Sequence, residues 1–93
     1  MNTLLDIQFE EEVLLDDVGV ATYALILHND PINTFDWVIQ TLIEVCKHTS
    51  EQAEQCAYII HYRGKYAVKH GSLERLKPMK DAITERGIEA TIE

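Results

Sequence analysis

Apolar residues follow two different spacings along the chain, which predicts a domain that mixes strands and helices. Residues 21–27 read Ala-Thr-Tyr-Ala-Leu-Ile-Leu, a short run of β-branched, aromatic and aliphatic side chains that predicts a first strand. The run ends in the turn-forming sequence His-Asn-Asp-Pro at residues 28–31. Pro31 disfavours helical backbone in the residue before it, so we expect an extended loop between this strand and the next element.

Two helices are predicted after this loop. Asn33 lies three residues before Asp36, the spacing of a helix N-cap and its acidic partner, and Thr49 with Gln52 repeats the pattern. Gly64 is the kind of residue that ends the second helix. Apolar residues recur at three- and four-residue intervals, so each helix has one stripe for the core. The stripes are Phe35, Val38, Ile39, Leu42, Val45 and Cys46 in the first helix, and Ala53, Cys56, Ala57 and Ile60 in the second.

The last third of the chain predicts two more strands around a third helix. Residues 65–70 and 88–92 alternate apolar and polar side chains as half-buried strands do. Pro78 removes a backbone donor and crowds the preceding turn, so we expect a short turn at 73–77 and a helix over 78–86. The resulting order, β-α-α-β-α-β, predicts an α+β fold with helices on one face of a three-stranded antiparallel sheet.

Composition and charge divide the chain into an arm and a domain. The chain has 93 residues and 46% apolar content, which fits one domain over residues 20–93. The first seventeen residues contain six acidic and no basic side chains, which predicts a flexible acidic arm at 1–19, with a fraying strand as the alternative. The formal net charge of -8 would repel a phosphate backbone, so nucleic acid is not an expected partner.

The cysteine content and the length of the apolar stretches narrow the class of protein further. A chain with two cysteines and no secretory signal pattern predicts reduced thiols in a cytoplasmic protein. The longest apolar stretch, residues 18–27, is shorter than the ~20 residues that a spanning helix needs. We therefore expect a soluble protein without membrane contact. We also expect a monomer without a cofactor.

A thiol or zinc enzyme is a separate hypothesis for Cys46, Cys56, His48 and His61. No pair of them has the C-x-x-C or H-x-x-x-H spacing of a zinc site, and both cysteines lie on apolar stripes. Core packing is the favoured interpretation, and no metal is expected.

Several motifs together resemble the ClpS family of protease adaptors, over most of residues 20–93. Asn29-Asp30 ends the first strand, and Asn33-Thr34-Phe35-Asp36 stands where the family commonly has Thr-Pro-Met-Glu. Residues 60–65, Ile-His-Tyr-Arg-Gly-Lys, resemble the family's Val-His-x-x-Gly-Lys, and the terminal Thr-Ile-Glu resembles its Thr-Leu-Glu or Thr-Met-Glu. The resemblance implies three helices on a three-stranded antiparallel sheet, an architecture that is similar to the C-terminal domain of the ribosomal stalk protein.

The resemblance also implies a function and a site. Family members are non-enzymatic adaptors for N-degrons, that is, substrates whose free N-terminal residue is Leu, Phe, Tyr or Trp. They deliver these to the N-terminal domain of a ClpA or ClpC unfoldase, which feeds the ClpP peptidase. By resemblance the substrate amino group falls to Asn29, Asp30 and His61, each of which offers an acceptor to an ammonium with three donors. The side-chain pocket falls on Phe35, Val38, Ala57, Ile60 and Ile88, beside the backbone of Leu27 and His28.

Three departures from the family pattern bear on these expectations. Pro31 stands where the family usually has a second aspartate, so Asp30 turns inward, or Asn33 contributes, or the amino group binds more weakly. Phe35 and Ala57 each replace a methionine, which predicts acceptance of Phe and Tyr, with Trp as a further candidate, and rejection of Val and Ile. Residues 66–87 form a shorter stretch than in typical members, and there only Glu74 matches a residue that docks the unfoldase.

The competing hypothesis within this fold is an interaction module without specificity for a free N-terminus. Such a module would bind internal peptide segments as well as N-terminal ones.

Overall fold

Residues 22–93 fold into three strands and three helices in the predicted order, as described by a computed structural model. Residues 1–21, with the arm predicted at 1–19, lie outside the described residues. The elements are β1 (Tyr23–His28), α1 (Phe35–Cys46), α2 (Ser50–Arg63), β2 (Lys65–Gly71), α3 (Leu73–Glu85) and β3 (Ala90–Ile92). The fold class predicted from the sequence is confirmed.

The first strand lies at the centre of the sheet. β1 pairs antiparallel with both neighbours, in the order β2-β1-β3. The pairing with β2 changes register between Leu25 and Ile26, where Val68 is the additional residue of a β-bulge. Because β1 is hydrogen-bonded on both sides, the loop that follows its last residue, His28, starts from a fixed position.

The helices cover one face of the sheet, and the hydrophobic core lies between the helices and the sheet. Leu25 and Leu27 of β1 are completely buried, as are Leu42 of α1 and Ile83 of α3. Both predicted helical stripes contribute to this core, with Phe35 as the exception at 38% exposure. Phe35 is the first residue of α1, so its side chain lies at the end of the helix and not against the sheet.

The N-cap of α1 is Thr34, and the prediction of Asn33 was wrong by one residue. The Thr34 hydroxyl accepts a hydrogen bond from the backbone N–H of Trp37 at 3.1 Å. Asn33 instead donates its side-chain amide to Asp30 and to the Gly87 carbonyl. Two adjacent residues can both cap a helix, and this tertiary contact decides which of them does so.

The third helix is continuous through Pro78, so the predicted turn at 73–77 and the predicted helix start at Pro78 were both wrong. Ser72 caps α3, and its hydroxyl accepts from the Arg75 backbone N–H at 3.3 Å. Pro78 is exposed, so its ring meets little besides the helix itself, while Leu76 and Ile83 anchor the helix in the core on either side. Their burial offsets the hydrogen bond that a proline cannot donate.

The last strand begins at Ala90, two residues later than predicted. Ile88 is 2% exposed and belongs to the core, but its backbone N–H bonds the Ile83 carbonyl at 3.4 Å instead of a neighbouring strand. The residues after α3 therefore complete the end of the helix before the chain joins the sheet.

A group of side chains joins α1 to the end of α3. Trp37 is half-buried, and its indole N–H donates to the Arg86 carbonyl at 3.0 Å. The Arg86 guanidinium lies 5.4 Å from the centre of the Trp37 ring and 2.8 Å from the Glu44 carboxylate, and it also donates to the buried Thr41 hydroxyl. These contacts hold the connection between α3 and β3, including Gly87, beside the start of α1.

Candidate functional site

The loop after β1 is organised around the Asp30 carboxylate. Its Oδ1 accepts hydrogen bonds from the backbone N–H groups of Ile32 and Asn33, both at 2.8 Å. Its Oδ2 accepts from the Asn33 side-chain amide at 2.8 Å. The hydrogen bonds from Asn33, followed by the one from Ile32, hold the pKa of Asp30 below its ordinary value. The carboxylate is therefore an anion at neutral pH, with its orientation fixed by its own loop.

Backbone hydrogen bonds tie this loop to its neighbours on two sides. The Asn29 N–H donates to the Gly64 carbonyl at 2.8 Å, just beyond the end of α2. On the other side, the His28 N–H donates to the Glu89 carbonyl at 3.0 Å, and the Asn33 side chain donates to the Gly87 carbonyl at 2.9 Å. The loop is thus held between the end of α2 and the connection from α3 to β3.

The end of α2 presents His61 toward this loop. Gly64 caps the helix with a left-handed φ of 92°, and its N–H donates to the Ile60 carbonyl at 2.8 Å. A glycine adopts this backbone without the strain that a β-carbon would bring. The cap ends the helix three residues after His61, whose side chain is exposed.

Aromatic rings surround His61. The centre of the Phe35 ring lies 5.2 Å from the imidazole, at an interplanar angle of 81°, and the Tyr62 ring lies 5.1 Å away at 80°. Phe35 also contacts Tyr58 edge to face, with 5.2 Å between ring centres. These are preferred geometries for aromatic pairs, so the contacts limit the orientations that the imidazole can adopt.

The loop, α1 and α2 enclose an open cleft of about 630 Å³. A narrower recess of about 20 Å³, roughly the space of one water molecule, adjoins it and is lined by five of the same residues. The cleft is lined by Asn29, Asp30, Pro31, Asn33, Phe35, Val38, Ala57, Ile60, His61 and Tyr62. It therefore combines hydrogen-bond acceptors at one end with apolar side chains from two helices.

Most of the residues predicted for the site lie around this cleft. The three predicted acceptors, Asn29, Asp30 and His61, line it together with Phe35, Val38, Ala57 and Ile60. Ile88 lines the adjoining recess, as do Leu27 and His28. Glu74 lies elsewhere, exposed in the first turn of α3. The roles assigned to all of these residues remain predictions.

Three residues that line the cleft were not among the predicted site residues: Pro31, Asn33 and Tyr62. Tyr62 is 77% exposed and lines the cleft beside His61, and its position after that histidine was the only signal in the sequence. Asn33 was interpreted first as a helix cap, yet it lines both the cleft and the recess. An aspartate at position 30 favours an Asx turn to the backbone two residues on, at Ile32, which could have indicated that the next residue, Asn33, has a place in the loop.

The cysteines lie apart from this cleft, in and beside the core. Cys46 is completely buried, and burial raises the pKa of its thiol to about 11. Burial also raises the pKa of Cys56, whose Sγ lies 3.9 Å from His48 Nδ1. Within residues 22–93, no three His, Cys, Asp or Glu side chains are grouped closely enough to hold a metal ion. Over the same range, no helix has the length and apolarity to cross a membrane.

The protein is a small α+β domain with a cleft between its first loop and two of its helices. One end of the cleft carries hydrogen-bond acceptors, and its walls are apolar. The sequence profile of the family described as "ATP-dependent Clp protease adaptor protein ClpS" matches residues 20–91. The chain belongs to the ClpS family of Clp protease adaptors.

Individual relatives agree with this assignment, and a solved structure has the same fold. The chain is 25% identical over 83 residues to the ATP-dependent Clp protease adapter protein ClpS of Streptomyces coelicolor, which covers 89% of this chain and 86% of the relative. It is 36% identical over 58 residues to the ClpS of Nitratidesulfovibrio vulgaris, covering 60% of this chain and 56% of the relative. The structure of Agrobacterium tumefaciens ClpS2 bound to L-phenylalaninamide superposes with a TM-score of 0.67 at 20% identity, covering 77% of this chain and 94% of that one.

A eukaryotic relative contains a similar segment. The E3 ubiquitin-protein ligase UBR1 of Drosophila melanogaster is 34% identical over 71 residues, which is 76% of this chain and 4% of the ligase. The chain thus spans only a small part of that relative, and about half of the Nitratidesulfovibrio one.

Proposed function

We propose that the protein is a non-catalytic adaptor that binds proteins with a free, bulky hydrophobic N-terminal residue and delivers them to a Clp unfoldase and its protease. The observation that supports this most strongly is the composition of the cleft. Acceptors for an ammonium group and an apolar pocket for one side chain share a single opening, in a chain of the ClpS family.

The acceptor end of the cleft suits a free amino group. An ammonium carries three donors and no acceptor, and Asn29, Asp30 and His61 each offer an oxygen or a ring nitrogen. The lowered pKa of Asp30 keeps a negative charge beside the bound cation. An acetylated N-terminus has neither the charge nor the donors, so it should bind far more weakly.

The apolar walls suit a large first side chain. Phe35, Val38, Ala57 and Ile60 line the cleft, and burying a Leu or Phe side chain contributes ~1.5–3 kcal/mol. Charge-assisted hydrogen bonds contribute ~1.5–3 kcal/mol each. After the cost of association, two or three such bonds and one filled pocket are compatible with micromolar binding. The L-phenylalaninamide bound to Agrobacterium tumefaciens ClpS2, a free amine on an aromatic residue, belongs to this chemical class.

Delivery requires a second partner. We propose the N-terminal domain of a ClpA- or ClpC-type unfoldase, with Glu74 on the docking surface. Glu74 is exposed in the first turn of α3 and does not line the cleft, so cargo and unfoldase could be bound at the same time.

The proposal is tested by fluorescence anisotropy with three labelled peptides: one beginning in free Phe, its acetylated form, and one with Phe moved to the second position. Only the first should bind tightly. His61→Ala should weaken that binding about 10- to 100-fold, because one charge-assisted hydrogen bond is lost. His70→Ala, at an exposed histidine outside the cleft, is the matched control and should change little.

Equal binding of all three peptides would indicate an interaction module without N-terminal specificity. For delivery, a reporter that begins with Phe should be degraded by the unfoldase and protease faster when the adaptor is present, and Glu74→Ala should reduce the gain without changing peptide affinity.

A further inference from the structure

We infer that the side-chain oxygen of Asn33 is a direct acceptor for the substrate amino group, and that Asp30 acts as the positioning residue that aims it. The inference rests on the proposed function and deepens it. It concerns how the amino group is bound in a chain that has Pro31 next to Asp30.

The orientation of the Asn33 amide follows from its neighbours. One terminal atom of the side chain lies 2.8 Å from Asp30 Oδ2 and 2.9 Å from the Gly87 carbonyl oxygen. Both neighbours are acceptors, and Asp30 is an anion, so the atom between them must be the nitrogen, with one hydrogen directed to each. An amide flipped by 180° would place its oxygen against two other oxygens.

This orientation leaves the Asn33 oxygen available. Both amide hydrogens are used, and within residues 22–93 no donor bonds the oxygen. Asn33 lines both the cleft and the recess beside it. An acceptor without a donor from the described residues, on a half-buried residue at the polar end of an open cleft, is well suited to a ligand that brings its own hydrogens.

The count of acceptors favours the same assignment. A substrate ammonium has three hydrogens, and Asn29 and His61 account for two. Pro31 has no side-chain acceptor. The Asp30 carboxylate already accepts three hydrogen bonds from its own loop, which occupies most of its roughly four acceptor positions. The Asn33 oxygen, which accepts no hydrogen bond from the described residues, is therefore the favoured acceptor for the third hydrogen.

Asp30 still acts on the ligand through its charge. Its carboxylate polarises the Asn33 amide through the Oδ2 hydrogen bond, which increases the negative charge on the amide oxygen. Loss of Asp30 should therefore weaken amine binding in two ways, by removing a nearby charge and by releasing the Asn33 side chain.

The test compares two ligands on the full chain and on Asn33→Ala: a peptide beginning in free Phe, and the same peptide with that residue replaced by 3-phenylpropionyl, which has the ring but no amine. Asn33→Ala should weaken the amine peptide about tenfold, the lower range for one charge-assisted hydrogen bond. Binding of the deaminated peptide should change by less than about twofold. Equal losses for both ligands would mean that Asn33 only shapes the loop, and would overturn the inference.

A second measurement does not depend on the variant folding. In the unsubstituted protein, the carbonyl ¹³C resonance of the Asn33 side chain should shift when the amine peptide is added and should stay in place with the deaminated one. A resonance that responds alike to both would also overturn the inference. If instead the unsubstituted protein binds the two peptides equally well, recognition of the amino group itself is wrong, and the proposed function fails with it.

Discussion

Phe35 provides the sharpest test of how the proposed cleft selects the first residue of a substrate peptide. Its ring is 38% exposed, lines the cleft and contacts the His61 imidazole edge to face at 5.2 Å. Phe35→Ala therefore removes a rigid wall at the rim and one contact that orients His61. The side chain contributes little to the core, so the variant should remain folded.

Phe35→Ala has two effects on peptide affinity: one weakens every amine peptide, and the other favours peptides with a β-branched first residue. Loss of the ring contact with His61, about 0.5–1.5 kcal/mol, should weaken every amine peptide roughly two- to thirteenfold. Crowding by a rigid ring costs a β-branched first residue about 1–3 kcal/mol, so the unsubstituted protein should prefer Leu over Val by about fivefold or more. In Phe35→Ala this preference for Leu should decrease, because the clash between the ring and a first-residue Val is removed, whereas a first-residue Leu does not clash with the ring.

Anisotropy titrations with peptides that differ only in Leu or Val at the first position measure the ratio directly. Tyr58→Ala is the matched control, because Tyr58 also contacts Phe35 edge to face at 5.2 Å but does not line the cleft. The control should keep the preference for Leu. Equal affinities for Leu and Val peptides in the unsubstituted protein, or an unchanged ratio in Phe35→Ala, would refute the role given to the ring.

Two further predictions concern groups outside the cleft. Cys46 and Cys56 should resist a thiol reagent near pH 8 in the folded protein and react once it is denatured, because both are buried and burial raises their pKa; fast native labelling would contradict this. Burial holds the pKa of His48 below its ordinary value of 6.5, although its ring is hydrogen-bonded to the Val68 carbonyl. As the pH falls, this histidine therefore gains a proton in the unfolded chain before it does so in the folded protein. The free energy of unfolding should decrease as the pH drops from 6.5 through the lowered pKa. Urea midpoints at neutral pH and at about pH 5 should differ less in His48→Gln, and an unchanged difference would exclude His48 as the cause.

The helical stripes and the main turns could be predicted because they depend on local spacing. Thr49 and Gln52 form the reciprocal capping box that their separation predicts, with bonds of 3.1 and 3.0 Å. Predictions from local spacing were wrong where contacts with residues distant in the sequence determine where an element begins. Pro78 was expected to begin a helix, but Leu76 and Ile83 keep the surrounding turns in place.

The candidate site shows the same division between local and distant information. The resemblance supplied Asn29, Asp30 and His61, and the turn at Asp30 is encoded within its own loop. The position of Asn33 depends on the Gly87 carbonyl, 54 residues away. No pattern around Asn33 contains that partner, so the sequence left its contribution as one of three alternatives.

The backbone hydrogen bond from Asn29 to Gly64 has a kinetic consequence for any ligand of the cleft. It joins main-chain groups, so no side chain is needed to form it, and it fixes the segments that carry Asn29 and His61 relative to each other. Association with a preformed site needs no slow rearrangement, and related ligands then differ mainly in dissociation rate. The lifetime of each complex, rather than the speed of its formation, should thus distinguish one first residue from another.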